Sequence, residues 1–233
     1  GDIYQICKSF RQEEMGSWHN VEFTMLEWYR VGFSGNQLME EVDELLQYIL
    51  RTQPSEKYSY LEIFEKYLEI NPHTISTKTL WKIVKQHYKS IDNLHDGKRD
   101  TALQLLMTKC IEPNLGQSNQ ACIIYDYPVT QSALAKIKTV DGNEVSARFE
   151  FYVDGIELAN GYQELTDYEE HETRYRKDIA LRKKANSSVI PKDAEFMAAM
   201  QHGLPECAGV ALGMDRLIAL ALQKSNIKGV TSF

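Results

Sequence analysis

Hydrophobic and polar positions change period several times along the chain. Residues 2–7 and 22–30 read as strands on either side of a polar loop. From Gly35 onward, Leu38, Val42, Leu45, Leu46, Ile49 and Leu50 recur at helical spacing and predict an amphipathic helix. A second helix is expected near 60–70 and stops before Asn71-Pro72, because a residue preceding proline is steered out of helical geometry. Ser76 is placed to cap a third helix carrying Leu80, Ile83, Val84 and Tyr88. A fourth covers about 99–110.

Residues 121–127 read as a strand rich in β-formers. Beyond them Ala147, Phe149, Phe151 and Val153 alternate with Arg148, Glu150 and Tyr152, the period of a half-buried strand. Asp154-Gly155 is a strong two-residue hairpin signal. If Val153 faces Ile156, then Tyr152 faces Glu157, and Glu150 is a diagonal neighbour of Glu157, roughly 7 Å away on the same sheet face. Two carboxylates so placed either repel, raising a pKa, or share a cation, for which Mg2+ is suited. Taken alone, they fit a solvated sheet surface better. Strict alternation from Glu157 sends Asn160 and Glu164 to the opposite face, and a register break at Gly161 is expected to bring them back. Thr166 through Glu169 form a capping-box pattern. A further helix over 192–202 ends at Gly203 before Pro205, a last strand runs through Val210 and Leu212, and a last helix starts at Asp215-Arg216. Hairpin-rich strands flanked by helices imply an α+β fold with an antiparallel sheet.

Composition narrows the classes. With 233 residues, 43% apolar and 25% charged, the chain suits one large globular domain or two small ones. There is no bilayer-length apolar run and no signal peptide, so no membrane role is expected. The scattered Cys7, Cys110, Cys122 and Cys207 argue against structural zinc and a disulfide framework, and suit a reducing cytoplasm. A net charge of −7 tells against a grip on a tRNA body. The basic concentration from Arg174 to Lys184 is interleaved with Glu169, Glu170 and Glu172 and reads as a solvated helix face.

Two separated stretches carry the candidate chemistry. The first runs Phe10-Arg11-Gln12-Glu13-Glu14 and then His19-Asn20-Val21-Glu22-Phe23-Thr24-Met25-Leu26-Glu27. It offers a cation for phosphate, hydrogen-bonding acids and a ring to stack on a base. The second is Gly209-Val210-Ala211-Leu212-Gly213-Met214-Asp215-Arg216-Leu217. Together with Met25-Leu26-Glu27-Trp28-Tyr29-Arg30 and Gly155-Ile156-Glu157-Leu158-Ala159-Asn160-Gly161 they resemble motifs 2 and 3 of the class II aminoacyl-tRNA synthetases, in the lysyl branch. The resemblance covers essentially the whole chain. It implies a single catalytic domain over 1–233, with the helical stretch at about 35–120 as an insertion between the motifs, and ATP with Mg2+ as cofactors.

The resemblance also implies roles. Arg11 grips the α-phosphate and the substrate carboxylate, Glu13 and Asn20 position the adenine end, and His19 lies near the distal phosphates. Phe23 stacks on adenine, with Arg216 covering its other face and reaching the γ-phosphate. Glu150 and Glu157 hold Mg2+. Glu27, Tyr29 and Glu164 surround a substrate ε-ammonium, and Asn160 contacts the carboxylate end. Ala211 stands where synthetases carry the middle glycine of the GxGxGxDR pattern. Its methyl group narrows the pocket floor and favours a β-amino substrate over an α-amino one. With the acidic balance, this points to the family's ligase branch, whose acceptor is a lysine side chain of elongation factor P and whose substrate is lysine or (R)-β-lysine. Val21 replaces the proline usual in His-Asn-Pro-Glu-Phe. The class's first motif, which builds a homodimer interface, and the upstream Ser/Glu segment have no counterpart, so the sequence reads as N-terminally incomplete. A lysyl-tRNA synthetase core and a truncated non-catalytic paralogue remain open as alternatives.

Overall fold

The computed structural model describes residues 1–12, 15–90, 95–184, 188–189 and 191–231. Its strands are β1 (Ile3–Phe10), β2 (Glu22–Val31), β3 (Gln53–Ser59), β4 (Gln120–Pro128), β5 (Ile137–Val140), β6 (Asn143–Val153), β7 (Ile156–Gln163) and β8 (Cys207–Gly213). The helices are α1 (Gly35–Leu50), α2 (Tyr60–Leu68), α3 (Thr77–His87), α4 (Arg99–Leu106), α5 (Tyr168–Lys184), α6 (Ala194–His202) and α7 (Met214–Ala221). The strands form one sheet in the order β1-β2-β8-β7-β6-β4-β3, with β5 added to the start of β6. Every pairing is antiparallel except β3 with β4, so the expected α+β sheet is present but mixed at one edge.

The helix starts follow local hydrogen-bonding chemistry. Ser34, Ser59 and Ser76 each accept a hydrogen bond from the backbone three residues on, and the first two close full capping boxes with Gln37 and Glu62. The start of α5 differs from expectation. Asp167 Oδ1, not Thr166, takes the Glu170 N–H at 2.8 Å, while the Thr166 hydroxyl donates to Glu206 at 2.9 Å.

The stretch over 35–120 holds a strand as well as helices, and its helices divide between the two sides of the sheet. On one side α1 and α7 pack Leu38, Val42, Leu46 and Leu217 against Ile123, Phe149, Phe151, Val210 and Leu212. On the other, α2, α3 and α4 pack Phe64, Leu80, Trp81 and Leu103 over Cys122, Ile124 and Tyr152. That second group covers only the β4 end of its face. The β2, β8 and β7 part of the same face stays uncovered by it, and there the candidate functional residues gather.

The register break in β7 lies three residues earlier than expected, at Leu158 and not at Gly161. Tyr152 pairs with Glu157 but Phe151 pairs with Ala159, so Leu158 is the extra residue of a bulge. Glu157 and Asn160 thereby share a face, and Glu150 sits directly opposite Asn160. Gly161 is glycine for another reason: a Cβ there would fall 2.2 Å from the Phe149 ring.

Candidate active site

Strand register sets the floor of the site. One row crosses four strands as Glu27, Ala211, Asn160 and Glu150, and the next as Tyr29, Gly209, Tyr162 and Arg148. A cavity of about 290 Å3 opens over this floor. Arg11, His19, Asn20, Phe23, Glu150, Glu157, Asn160, Ala211 and Arg216 all line it, although they come from the two ends and the middle of the sequence. Glu13 lies outside the described residues. Glu27, Tyr29 and Glu164 are not in its wall; they form a neighbouring cluster one step along the same face.

The loop between β1 and β2 is tied down at several points. Arg216 donates from Nε to the Trp18 carbonyl at 3.0 Å and from Nη1 to the Glu157 carbonyl at 2.6 Å. Ile227 N–H donates to the Ser17 carbonyl at 3.0 Å. Asp215 Oδ2 accepts from Thr24 N–H at 2.7 Å, locking the start of α7 to β2. Arg216 thus joins the loop to the β6–β7 hairpin. Val21 N–H donates to Asn20 Oδ1 at 3.0 Å, a hydrogen bond that proline at this position could not make. The Arg11 guanidinium lies 5.2 Å from the centre of the Phe23 ring, a cation–π arrangement on the ring expected to stack on adenine.

Glu150 is 5% exposed and held by a dense set of donors. Tyr127 and Tyr152 hydroxyls donate to Oε2, each at 2.5 Å. Arg148 and Asn160 Nδ2 donate to Oε1, the latter at 3.2 Å. Arg148 is itself held over the Tyr127 ring, 4.6 Å from its centre. A buried carboxylate needs such pairing to offset the water it has lost. Glu157 is differently placed. Burial, and then the charge of Glu150, push its pKa up to about 7, against the pull of Arg216 and Arg148. Glu112, also in the cavity wall, is pushed up to about 7 by burial and then by Glu150.

These acids suit a divalent cation. The like charges of Glu150 and Glu157 would be relieved by a divalent cation held at them. Among the described residues no three His, Cys, Asp or Glu side chains could hold a metal by themselves. Mg2+ takes one or two carboxylates and completes its shell with phosphate and water.

The second cluster suits an ammonium. Burial pushes the Glu164 pKa up to about 7. Burial, followed by the charges of Glu164 and Glu27, pushes the Tyr29 hydroxyl up to about 12. Between them is Gly209, where a Cβ would fall 2.4 Å from Glu164 Oε1 and 2.6 Å from the Tyr29 ring. The absent side chain lets acid and ring close over the strand. Glu27 keeps a contact with β1, accepting from Gln5 Nε2 at 3.1 Å.

Sequence reasoning passed over Arg148, Tyr127, Tyr152, Trp18 and Glu112 as cavity-lining residues. Arg148 and Tyr152 share the alternation phase of Glu150, so that phase was the available signal. Glu112 and Trp18 sit in irregular segments and carry no such mark.

The family of class II tRNA synthetases (D, K and N) matches residues 1–233. Elongation factor P--(R)-beta-lysine ligase of Pseudoalteromonas translucida is 47% identical over 234 residues, covering 100% of this chain and 71% of that protein. The protein of the same name from Histophilus somni is 47% identical, with 100% and 71% covered, and that from Klebsiella pneumoniae 44% identical, again with 100% and 71% covered.

Proposed function

The chain belongs to the class II tRNA synthetase family (D, K and N), and on that premise we propose that it is an ATP-dependent ligase. It activates (R)-β-lysine or lysine as an adenylate and transfers it to a lysine side chain of elongation factor P. The observation that carries this reading is the row Glu27, Ala211, Asn160, Glu150, which sets a methyl-bearing floor between the ammonium cluster and the phosphate end of the cavity.

In the first step a substrate carboxylate oxygen attacks the α-phosphorus of ATP, and the bond to pyrophosphate breaks. The protein's task is to hold the reactants in line and offset the developing negative charge. Arg11 supplies a planar two-pronged donor for the α-phosphate and the attacking carboxylate. Phe23 and Arg216 sandwich adenine, Asn20 and Glu13 position it, and His19 faces the distal phosphates. Glu150 and Glu157 would hold Mg2+, which screens the phosphate charge when bound. In the pocket, Glu164, Glu27 and Tyr29 receive the ε-ammonium, whose charge offsets the unfavourable burial of Glu164. Asn160 takes the carboxylate end, and Ala211 disfavours the α-amino placement. In the second step the acceptor lysine amine attacks the adenylate carbonyl. An amide forms, AMP leaves, and the amine's proton is released.

The enzyme works in the cytoplasm, and forms a homodimer when the class's first motif is present. No helix among the described residues is long and apolar enough to cross a membrane. A lysyl-tRNA synthetase core is the weaker reading, given the net charge of −7 and the alanine at 211.

Pyrophosphate exchange into ATP, measured with each lysine isomer, tests the activation step. Lysine-dependent exchange is expected, and Arg11→Ala should abolish it. Near-normal exchange in that variant would overturn the site assignment, and absence of exchange with every isomer would overturn the activity.

A further inference from the structure

One acid in the cavity wall has no part in the reaction as set out above. Glu112 lies on a short turn, Glu112–Asn114, that follows the distorted end of α4. Main-chain contacts fix this turn against the β6–β7 hairpin. Gly155 N–H donates to the Leu115 carbonyl and Asp154 N–H to the Gly116 carbonyl, both at 2.8 Å. Gly116 and Gly155 are left-handed, at φ +65° and +74°. A Cβ on Gly116 would meet the Tyr152 carbonyl oxygen at 2.3 Å, and one on Gly155 the Glu112 carbonyl oxygen at 3.0 Å. Turn and hairpin therefore touch backbone to backbone. The arms of that hairpin carry Glu150 and Glu157, so the position of Glu112 is set relative to both by the main chain.

Two further observations point to a ligand here. Asn160 Oδ1 and Arg148 Nε, in side chains that line the same cavity, are buried without a hydrogen-bond partner. The Glu150 carboxylate already accepts from Arg148, Asn160, Tyr127 and Tyr152, so it must exchange one of these donors to touch a cation and has no site to spare for the cation's waters. Mg2+ bound through one or two carboxylates keeps several waters, and those waters need acceptors.

We propose that Glu112 is a positioning residue for the divalent cation, accepting hydrogen bonds from the waters of the ion held by Glu157 and Glu150 and thereby fixing it on the phosphate tail of ATP. The proposal rests on the Mg–ATP reading of the site. Its test is a titration of the protein with Mn2+, the free ion followed by electron paramagnetic resonance, with a non-hydrolysable ATP analogue bound.

Glu112→Gln should weaken Mn2+ binding about 10- to 100-fold. Metal-free affinity for the analogue and the metal-free melting temperature should not fall. Glu157→Gln, which removes a direct ligand, is the reference, and Glu112→Asp, which keeps the charge, should recover part of the loss. If Glu112→Gln binds Mn2+ like the parent while Glu157→Gln does not, the proposal is overturned and the cation reading stands. If both variants bind Mn2+ like the parent, the cation reading itself fails. A loss of metal-free analogue binding or of melting temperature in Glu112→Gln that Glu112→Asp shares would also overturn it, marking a structural role for the turn.

Discussion

On β6, Phe149, Phe151 and Val153 face α1, while Arg148, Glu150 and Tyr152 face the cavity. The same strand thus serves two environments, and they differ in what they ask of a side chain. On the apolar side shape and area suffice: Phe151 is fully buried, and burying a side chain of that size stabilises by about 1.5–3 kcal/mol. On the polar side every buried group needs a partner. Glu150 has donors from four residues, yet Asn160 Oδ1 and Arg148 Nε have none. Glu157, Glu112 and Glu164 are held where their ionised forms are disfavoured. The unfavourable electrostatics is confined to one face, and the opposite face supplies the stability that tolerates it.

The comparison breaks most visibly at the apolar face. Phe151→Ala should lower the unfolding free energy by about 3–5 kcal/mol in a denaturant titration, and a loss below about 1 kcal/mol would show that this face is not the stabilising one. Glu164→Gln should do the reverse. It removes a carboxylate whose charge is disfavoured by burial, so the melting temperature should hold or rise. The KM for lysine substrates in pyrophosphate exchange should increase by about 2–3 kcal/mol equivalent, or 30- to 150-fold.

The pH dependence sharpens the contrast. Glu112, Glu157 and Glu164 have folded-state pKa values raised to about 7, so the folded chain binds more protons than the unfolded one between the ordinary glutamate pKa and 7. Their contribution to stability is fully present below about pH 4 and is lost as pH rises through 7. Each is expected to contribute about 1–3 kcal/mol to the stability lost across that range. Melting curves across this range should flatten in the presence of lysine with Mg–ATP, and in Glu164→Gln without ligand. The smallest effect is at the floor: Ala211→Gly should raise exchange with α-lysine about tenfold, the worth of one methyl group in a pocket. No gain would count against the reading of Ala211.

The helices were legible because 3.6-residue spacing and caps such as Ser76 act locally; Ser34 and Ser59 cap α1 and α2 in the same way without having been read as caps. The polar face of β6 and β7 was legible as far as period 2 carries. The bulge at Leu158 was not, because it is set by pairing with Phe151 and Tyr152 rather than by any local residue preference. Gly161, the expected break, instead makes room for Phe149. Strand β3, with the sequence Gln-Pro-Ser-Glu-Lys-Tyr-Ser, carries no β-branched residue and begins with a proline at its second position. It is a strand because β4 offers an edge, and edge strands tolerate proline. Strand β5 did have a signal, since Asp141-Gly142 sits in the left-handed region at φ 48° and 78°, as Asp154-Gly155 does. The roles of the candidate site residues rest on resemblance; composition and periodicity alone favour a solvated surface for Glu150 and Glu157. What resemblance did not mark, such as Glu112 and Trp18, lies in turns whose placement depends on tertiary contacts.

The most direct test of the account is the intact mass of elongation factor P after incubation with the protein, Mg–ATP and each lysine isomer. The account predicts a gain of one lysyl unit, largest with (R)-β-lysine and lost with Arg11→Ala. An unchanged mass with every isomer, alongside charging of tRNA by the same preparation, would contradict it.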